Sequence, residues 1–311
     1  MGFHALTRLF SRHLTGVLAV SLFIGLAFPN LATLLRPLIT PAVLLLLLAT
    51  MLRIDWRQSL HYRRRPVLLS AVLGWMLIAS PVLMWLALKW IDLPPGVEVA
   101  LILMAASPPT LSSPSLAQII GLDGALSLVV LCVAILVVPL TLPFLSIELL
   151  RLELSLGTLD LMLRLGGLIG GAFVAALVVR HLLGSERIER SSDIIDSALV
   201  LAMVVFAIAV MDGVAATFAA DPGHVLMVAG IAFAANLGFQ VLAWVVFSFT
   251  GRRTALTAGF SCGNRNMGIL LPALPAAIWP DVFLFIAVFQ FPIYMLPWVL
   301  VKVYGRLVKV D

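Results

Sequence analysis

The run Thr254–Ile278, "TALTAGFSCGNRNMGILLPALPAAI", holds one charge, Arg265, and no acidic residue. Arg265 stands about eleven residues from the nearer end of that run, roughly 16 Å at helical rise. An arginine cannot snorkel that far to water, and a buried guanidinium does not give up its proton. It therefore needs a partner that its own segment does not supply. The residues around it, "GNRN", are poor helix material inside an otherwise apolar run. A broken helix with a buried cation at the break is the first expectation.

The rest of the chain is built for a bilayer. Of 311 residues, 62% are hydrophobic and 11% charged, and the mean hydropathy is +1.13. Apolar runs of about 20 residues are long enough to cross a membrane. Ten such spans are expected, at 12–29, 34–52, 66–88, 97–120, 123–145, 160–183, 194–216, 224–250, 254–278 and 281–304. The fold class is thus an all-α polytopic membrane protein, with residues 1–311 forming a single membrane domain. The first run lacks a convincing small-residue cleavage site, and it reads as a permanent helix.

Charge orients these spans. Arg53, Arg57, Arg63, Arg64 and Arg65 crowd one loop. With the N-terminus inside, fifteen of the twenty Lys and Arg residues fall in cytoplasmic segments, while Arg36, Lys89, Arg151 and Arg164 fall outside. The bias places both termini in the cytoplasm, in what reads as a bacterial inner (plasma) membrane. Topology explains the arginine cluster, so no nucleic-acid partner is inferred. Trp56, Trp75, Trp85, Trp90, Trp279 and Trp298 lie mostly near span ends, as interfacial anchors do.

Catalytic chemistry finds few candidates. Cys132 and Cys262 both fall in spans, which gives no disulfide framework and too few ligands for a structural zinc. His4, His13, His61, His181 and His224 fall at termini or in loops. No buried Asp pair, Ser–His pair or His-rich metal set is visible. The chain does not read as an enzyme, and no cofactor is expected.

A second break repeats the first. The fourth span contains "SPPTLSSPS", Ser107–Ser115, with Pro108, Pro109 and Pro114 inside seven residues. An unbroken helix cannot hold them, because each removes a donor and clashes with the preceding turn. A shift of 153 residues brings this window onto Phe260–Gly268, "FSCGNRNMG". Five spans would then make one half, about 12–145, and five the other, about 160–304, in opposite orientations. Matched breaks in inverted halves are the mark of a secondary transporter with its site at mid-membrane. Irregular backbone at that depth must be satisfied by protein, water or ligand. Thr110, Ser112, Ser113, Ser115, Ser261, Asn264, Asn266 and Arg265 are the candidates for helix-end satisfaction and for substrate binding.

The segments "ASPPTLSSPSLAQIIGLDGALS" (Ala106–Ser127) and "GFSCGNRNMGIL" (Gly259–Leu270) resemble the bile acid:sodium symporter family. Gly263 and Asn266 match the Gly–x–x–Asn core of that family's ninth helix. The resemblance implies a panel of helices 1, 2, 6 and 7 and a core of helices 3, 4, 5, 8, 9 and 10. Helices 4 and 9 would be broken and cross in that core. Related folds carry bile acids, small carboxylates and other anions, so the fold does not name a substrate.

The departures are specific. Where the family's sodium sites use a glutamate and a glutamine, this chain has Ser261 and Arg265. The fourth-helix Ser–Asn pair is Ser113–Pro114, and the fifth-helix ligands are Ser127 and Leu131. Ser113, Ser127 and Ser261 are thus the remnant sodium-site positions, and a fixed guanidinium among them repels a cation. Sodium coupling is expected to be lost or altered. Arg265 would replace the ion's charge, contact an anionic substrate, or do both, with half-helix N-termini adding positive potential. The function expected is a secondary transporter of a small, carboxylate-like organic anion, acting by alternating access in a lipid bilayer. The alternatives are a membrane receptor or sensor for the same ligand and a conventional sodium-coupled symporter. The sequence does not set the oligomeric state.

Overall fold

The computed structural model describes residues 14–53, 65–149, 156–275 and 280–309. Arg8, Arg12, Arg57, Arg63, Arg64, Arg151, Trp56, Trp279 and the end of the ninth span lie outside the described residues. The described chain is helical: α1 (Leu14–Ala27), α2 (Pro29–Leu35), α3 (Ile39–Arg53), α4 (Pro66–Gly74), α5 (Ser80–Leu88), α6 (Pro95–Ala106), α7 (Ser113–Ile119) and α8 (Gly124–Pro143) form the first part. The second part holds α9 (Thr158–Leu183), α10 (Ser185–Arg190), α11 (Ser192–Ala209), α12 (Val214–Ala220), α13 (Pro222–Val246), α14 (Arg252–Gly263) and α15 (Pro280–Lys309). Among the described residues, seven helical stretches are long and apolar enough to cross a membrane, and the chain is an integral, multi-pass membrane protein.

Helix starts follow from local chemistry. Pro29, Pro66, Pro95, Pro222 and Pro280 stand at first helical positions, where a missing N–H costs nothing and φ is already set. Asp123 caps α8, accepting from the N–H of Ala125 and of Leu126 at 3.1 and 3.0 Å. A π-helical turn, Trp75–Ala79, joins α4 to α5.

The chain divides into two compact units. The first comprises 1–54 and 167–226. Within it, α11 packs against α1, α2 and α3. Asp212 is nearly buried in the turn just past the end of this helix, and it accepts from Thr33 Oγ1 at 2.6 Å and Arg36 Nη1 at 2.7 Å.

The second unit comprises 55–166 and 227–311. There α8 packs against α4, α6, α7 and α14, and α15 packs against α6 and α14. Residues Val99–Ala106 of α6 and Ala255–Gly263 of α14 are buried on every side. That enclosure is what their ends require: α6 stops at Ala106 and α14 at Gly263, and irregular backbone cannot face lipid. By contrast α9, unbroken, exposes Leu159, Leu163, Val174 and Val178.

The two expected breaks are both present. The first runs from Ser107 to Ser112, between α6 and α7. After the second, at Asn264–Asn266, the described chain makes a 3-10 turn at Met267–Leu270 rather than resuming as an α-helix.

Candidate functional site

The breaks are bonded to each other. Thr110 N–H donates to Asn264 O at 2.9 Å, and Asn266 N–H donates to Pro108 O at 2.7 Å, forming a short antiparallel bridge centred on Pro109 and Arg265. The bridge joins residues 156 apart, three more than the sequence alignment of the two windows suggested. Backbone groups freed by the prolines of one break are thus satisfied by those freed at the other.

The C-terminal ends of α6 and α14 lead into the breaks, and the N-terminus of α7, at Ser113, adjoins the far end of the first. Helix C-termini carry unpaired carbonyls and partial negative charge. Arg265 sits against both. It is fully buried, with no exposed surface. Its Nε donates to Cys262 O at 2.5 Å, and its Nη1 to Ser107 O at 2.8 Å and to Met76 O at 3.1 Å. Its Nη2 donates to Ser80 Oγ at 3.2 Å, and its guanidinium carbon lies 5.8 Å from the centroid of the Phe239 ring. Four of the five N–H donors of a guanidinium are engaged by these oxygens. The partners are three carbonyls and one hydroxyl, so the site keeps a net positive charge.

Each carbonyl is free for a definite reason. Cys262 O and Ser107 O are helix-end acceptors without an intrahelical partner. The N–H of Asn266 would serve Cys262 in a continuing helix, but it turns to Pro108 instead. Met76 O is freed by the π turn. Ser80 N–H bonds back to Trp75 O, and the next residue, Pro81, has no N–H to give. Ser80 Oγ also donates to Trp75 O, at 2.8 Å, and its lone pair faces Arg265.

Two further polar groups adjoin the breaks. Ser127 Oγ on α8 donates to Ser113 Oγ at 3.2 Å and lies 3.3 Å from Ser261 Oγ. The three serines singled out as remnant sodium-site positions are therefore brought together, all buried, with their bonds running among hydroxyls. Close by, Thr257 Oγ1 accepts from the N–H of Asp123 at 3.0 Å, tying α14 to the start of α8.

The second group is an amide chain that sequence reasoning did not single out. Tyr304 Oη donates to Gln240 Oε1, and Gln240 Nε2 donates to Asn236 Oδ1 at 2.5 Å. Asn236 Nδ2 then donates to Gly263 O at 2.9 Å and to Asn264 Oδ1 at 3.4 Å. Asn264 Nδ2 returns to Phe260 O at 2.9 Å. Helices α13 and α14 approach closely enough for this because Gly259 and Gly263 have no side chains. A Cβ on Gly263 would strike Asn236 O and the Gln240 side chain, and one on Gly259 would strike Gln240 O. Asn236 and Gln240, four apart in an apolar span, were the available signal, as Ser80–Pro81 was for the π turn.

Access separates the expected site residues. Arg265, Asn264, Ser113 and Ser261 are sealed. Thr110 and Ser112 keep a little exposure, Asn266 is half-buried, and Ser115 is exposed. Ser112 Oγ and Thr110 Oγ1 are 3.5 Å apart, at the limit of a hydrogen bond, so both have capacity to spare. Among the described residues, no group of three or more His, Cys, Asp or Glu side chains gathers as a metal ion would need.

The model of the sodium bile acid symporter family matches residues 40–218, more than half of the chain. The chain belongs to the sodium bile acid symporter family. The match runs from α3 into α12 and includes the first break; the second break, with Arg265, lies beyond it. The family makes this chain a membrane transporter by descent. No curated protein matches it.

Proposed function

We propose that this chain is a secondary transporter that moves a small, carboxylate-like organic anion by alternating access, without sodium coupling. The observation that carries this reading is Arg265, a sealed and permanent cation at the bridge between two broken helices. Carbonyl dipoles solvate it but do not cancel its charge. The surrounding potential therefore favours an anion and opposes a second cation. The substrate would meet Thr110, Ser112, Ser115 and Asn266, which have open faces. Arg265 would act on it mainly through the field and by holding the breaks in place.

Ten crossings in two inverted halves fit this role. The three spans not among the seven long helices correspond to α1 and to the two helices cut by breaks. The helix starts Pro66 and Pro222, the helix starts Gly124 and Pro280, and the bridge partners Pro109 and Arg265 each stand 156 residues apart. Exchange of 109 with 265 converts one bond of the bridge into the other, as a pseudo-two-fold axis would. The division into units supports a panel of spans 1, 2, 6 and 7 and a core of the rest. The arginine count supports cytoplasmic termini, and an inner bacterial membrane would suit such a carrier.

The fixed charge also favours exchange. An empty core that must move with an uncompensated cation in low dielectric is costly, and a bound monovalent anion removes that cost. The test is purified protein in liposomes preloaded with unlabelled carboxylates and offered labelled ones. Saturable trans-stimulated uptake supports a carrier. Saturable binding with no uptake refutes it and favours the receptor reading.

A further inference from the structure

Four oxygens converge on the Arg265 guanidinium from three separate helical segments: Met76 O and Ser80 Oγ from the π turn and its edge, Ser107 O from the end of α6, and Cys262 O from the end of α14. We propose that these oxygens are a built cation site that the chain fills with its own guanidinium, and that truncating Arg265 opens the site to a small cation from solution, guanidinium before the alkali ions. This inference stands apart from the transport reading, because it concerns how the core is held and is tested on the purified protein.

Each of these oxygens is available for a local reason. Three carbonyls have lost their intrahelical donors, and each was lost for a different local reason: a proline pair after Ser107, a bridge that diverts Asn266 N–H, and a π turn closed by Pro81. A buried carbonyl without a donor is costly, so the three would not be aimed at one point unless something there repaid them. Only a cation with several planar donors fits all four at once, and the fork of arginine does so. Remove the side chain beyond Cβ and the backbone breaks remain, because their bridge is made by Thr110, Asn264, Asn266 and Pro108 without it. What is left is a buried polar cavity with oxygen lining and no charge.

The π turn is then the acceptor half of the site. Restoring an N–H at position 81 lets the helix run back into α register, in which Ser80 N–H takes Met76 O. Pro81→Ala should therefore help the helix locally and rob Arg265 of an acceptor. Its effect should reverse sign with the residue at 265.

The experiment is a thermal melt of detergent-purified full-length protein and of Arg265→Ala, with millimolar guanidinium chloride, potassium chloride, sodium chloride or choline chloride at equal ionic strength. Arg265→Ala should melt well below the parent. It should recover in a saturable way with guanidinium, less with the alkali ions and not with choline, while the parent responds to none. An Arg265→Ala protein indifferent to all four salts, or rescued equally by choline, overturns the proposal. Pro81→Ala is measured beside it in both backgrounds. It should lower the melting temperature of the parent and raise that of Arg265→Ala. A rise in both backgrounds shows that Met76 O is no part of a cation site. Should Arg265→Ala not fold, Pro81→Ala alone decides: removal of a mid-span proline that stabilises the parent contradicts the proposal.

Discussion

Substitution of Gly263 by alanine should damage the core far more than one methyl group implies. The new Cβ would meet two things: the Gln240 side chain, which can turn aside, and the carbonyl oxygen of Asn236, which is helix backbone and cannot. Relief requires α13 and α14 to move apart. Overpacking of this kind costs about 1–3 kcal/mol. The same movement stretches the 2.9 Å bond from Asn236 Nδ2 to Gly263 O, and a buried polar pair left open costs about 1–3 kcal/mol more. Alanine recovers about 0.5–1 kcal/mol of backbone entropy relative to glycine. The net is a loss of about 1–5 kcal/mol, roughly 2–20 °C in melting temperature. Gly74→Ala is the matched control, since nothing lies within 4 Å of its added Cβ. It should be neutral or slightly stabilising. A fluorescence-based melt of the two purified variants checks this. If Gly263→Ala melts with Gly74→Ala, the close approach of α13 to α14 is wrong, and the amide chain built on it fails as well.

Two other outcomes follow from the same structure. Tyr304→Phe leaves Gln240 Oε1 without its donor and should destabilise by about 1–2 kcal/mol, whereas Gln240→Leu with Tyr304→Phe should cost less than the two changes added, which a double-mutant melt reads directly. Single cysteines placed in the Arg53–Arg65 loop should resist an impermeant thiol reagent in intact cells, while cysteines between Asp212 and His224 should react; the reverse pattern would invert the assigned topology.

The sequence was most readable where one residue type broke a strong pattern. Arg265 stood out because an apolar run contained one charge, and Pro108, Pro109 and Pro114 announced a break that no helix could absorb. What Arg265 pairs with was not readable, because its partners are mainly backbone carbonyls, and every residue has one. Which carbonyls are free depends on hydrogen-bond register, and the π turn at Trp75–Ala79 changes that register without altering composition. The serine trio meets in the fold because Ser113 and Ser261 stand beside the two breaks and Ser127, on α8, lies within hydrogen-bond reach of both. Asn236, Gln240 and Tyr304 are hard to read from sequence for a different reason. Isolated amides in a membrane span look like ordinary polar spacing until the glycines opposite them, Gly259 and Gly263, are seen to admit the neighbouring helix. Polar content aligns the two breaks at 153 residues, but the backbone pairs them at 156, because hydrogen bonds rather than residue types set the match.

The central claim is a carrier whose crossing is held by a tethered cation in place of a dissolved one. Its most direct test is the initial rate of labelled carboxylate uptake into liposomes containing the purified protein, under equal inward gradients of sodium, potassium or N-methylglucamine. The account predicts the same rate and the same final level with all three cations for the parent, and a sodium response only in Arg265→Gln with Ser261→Glu, which removes the guanidinium and supplies a carboxylate. Sodium-driven accumulation by the unaltered protein would contradict it.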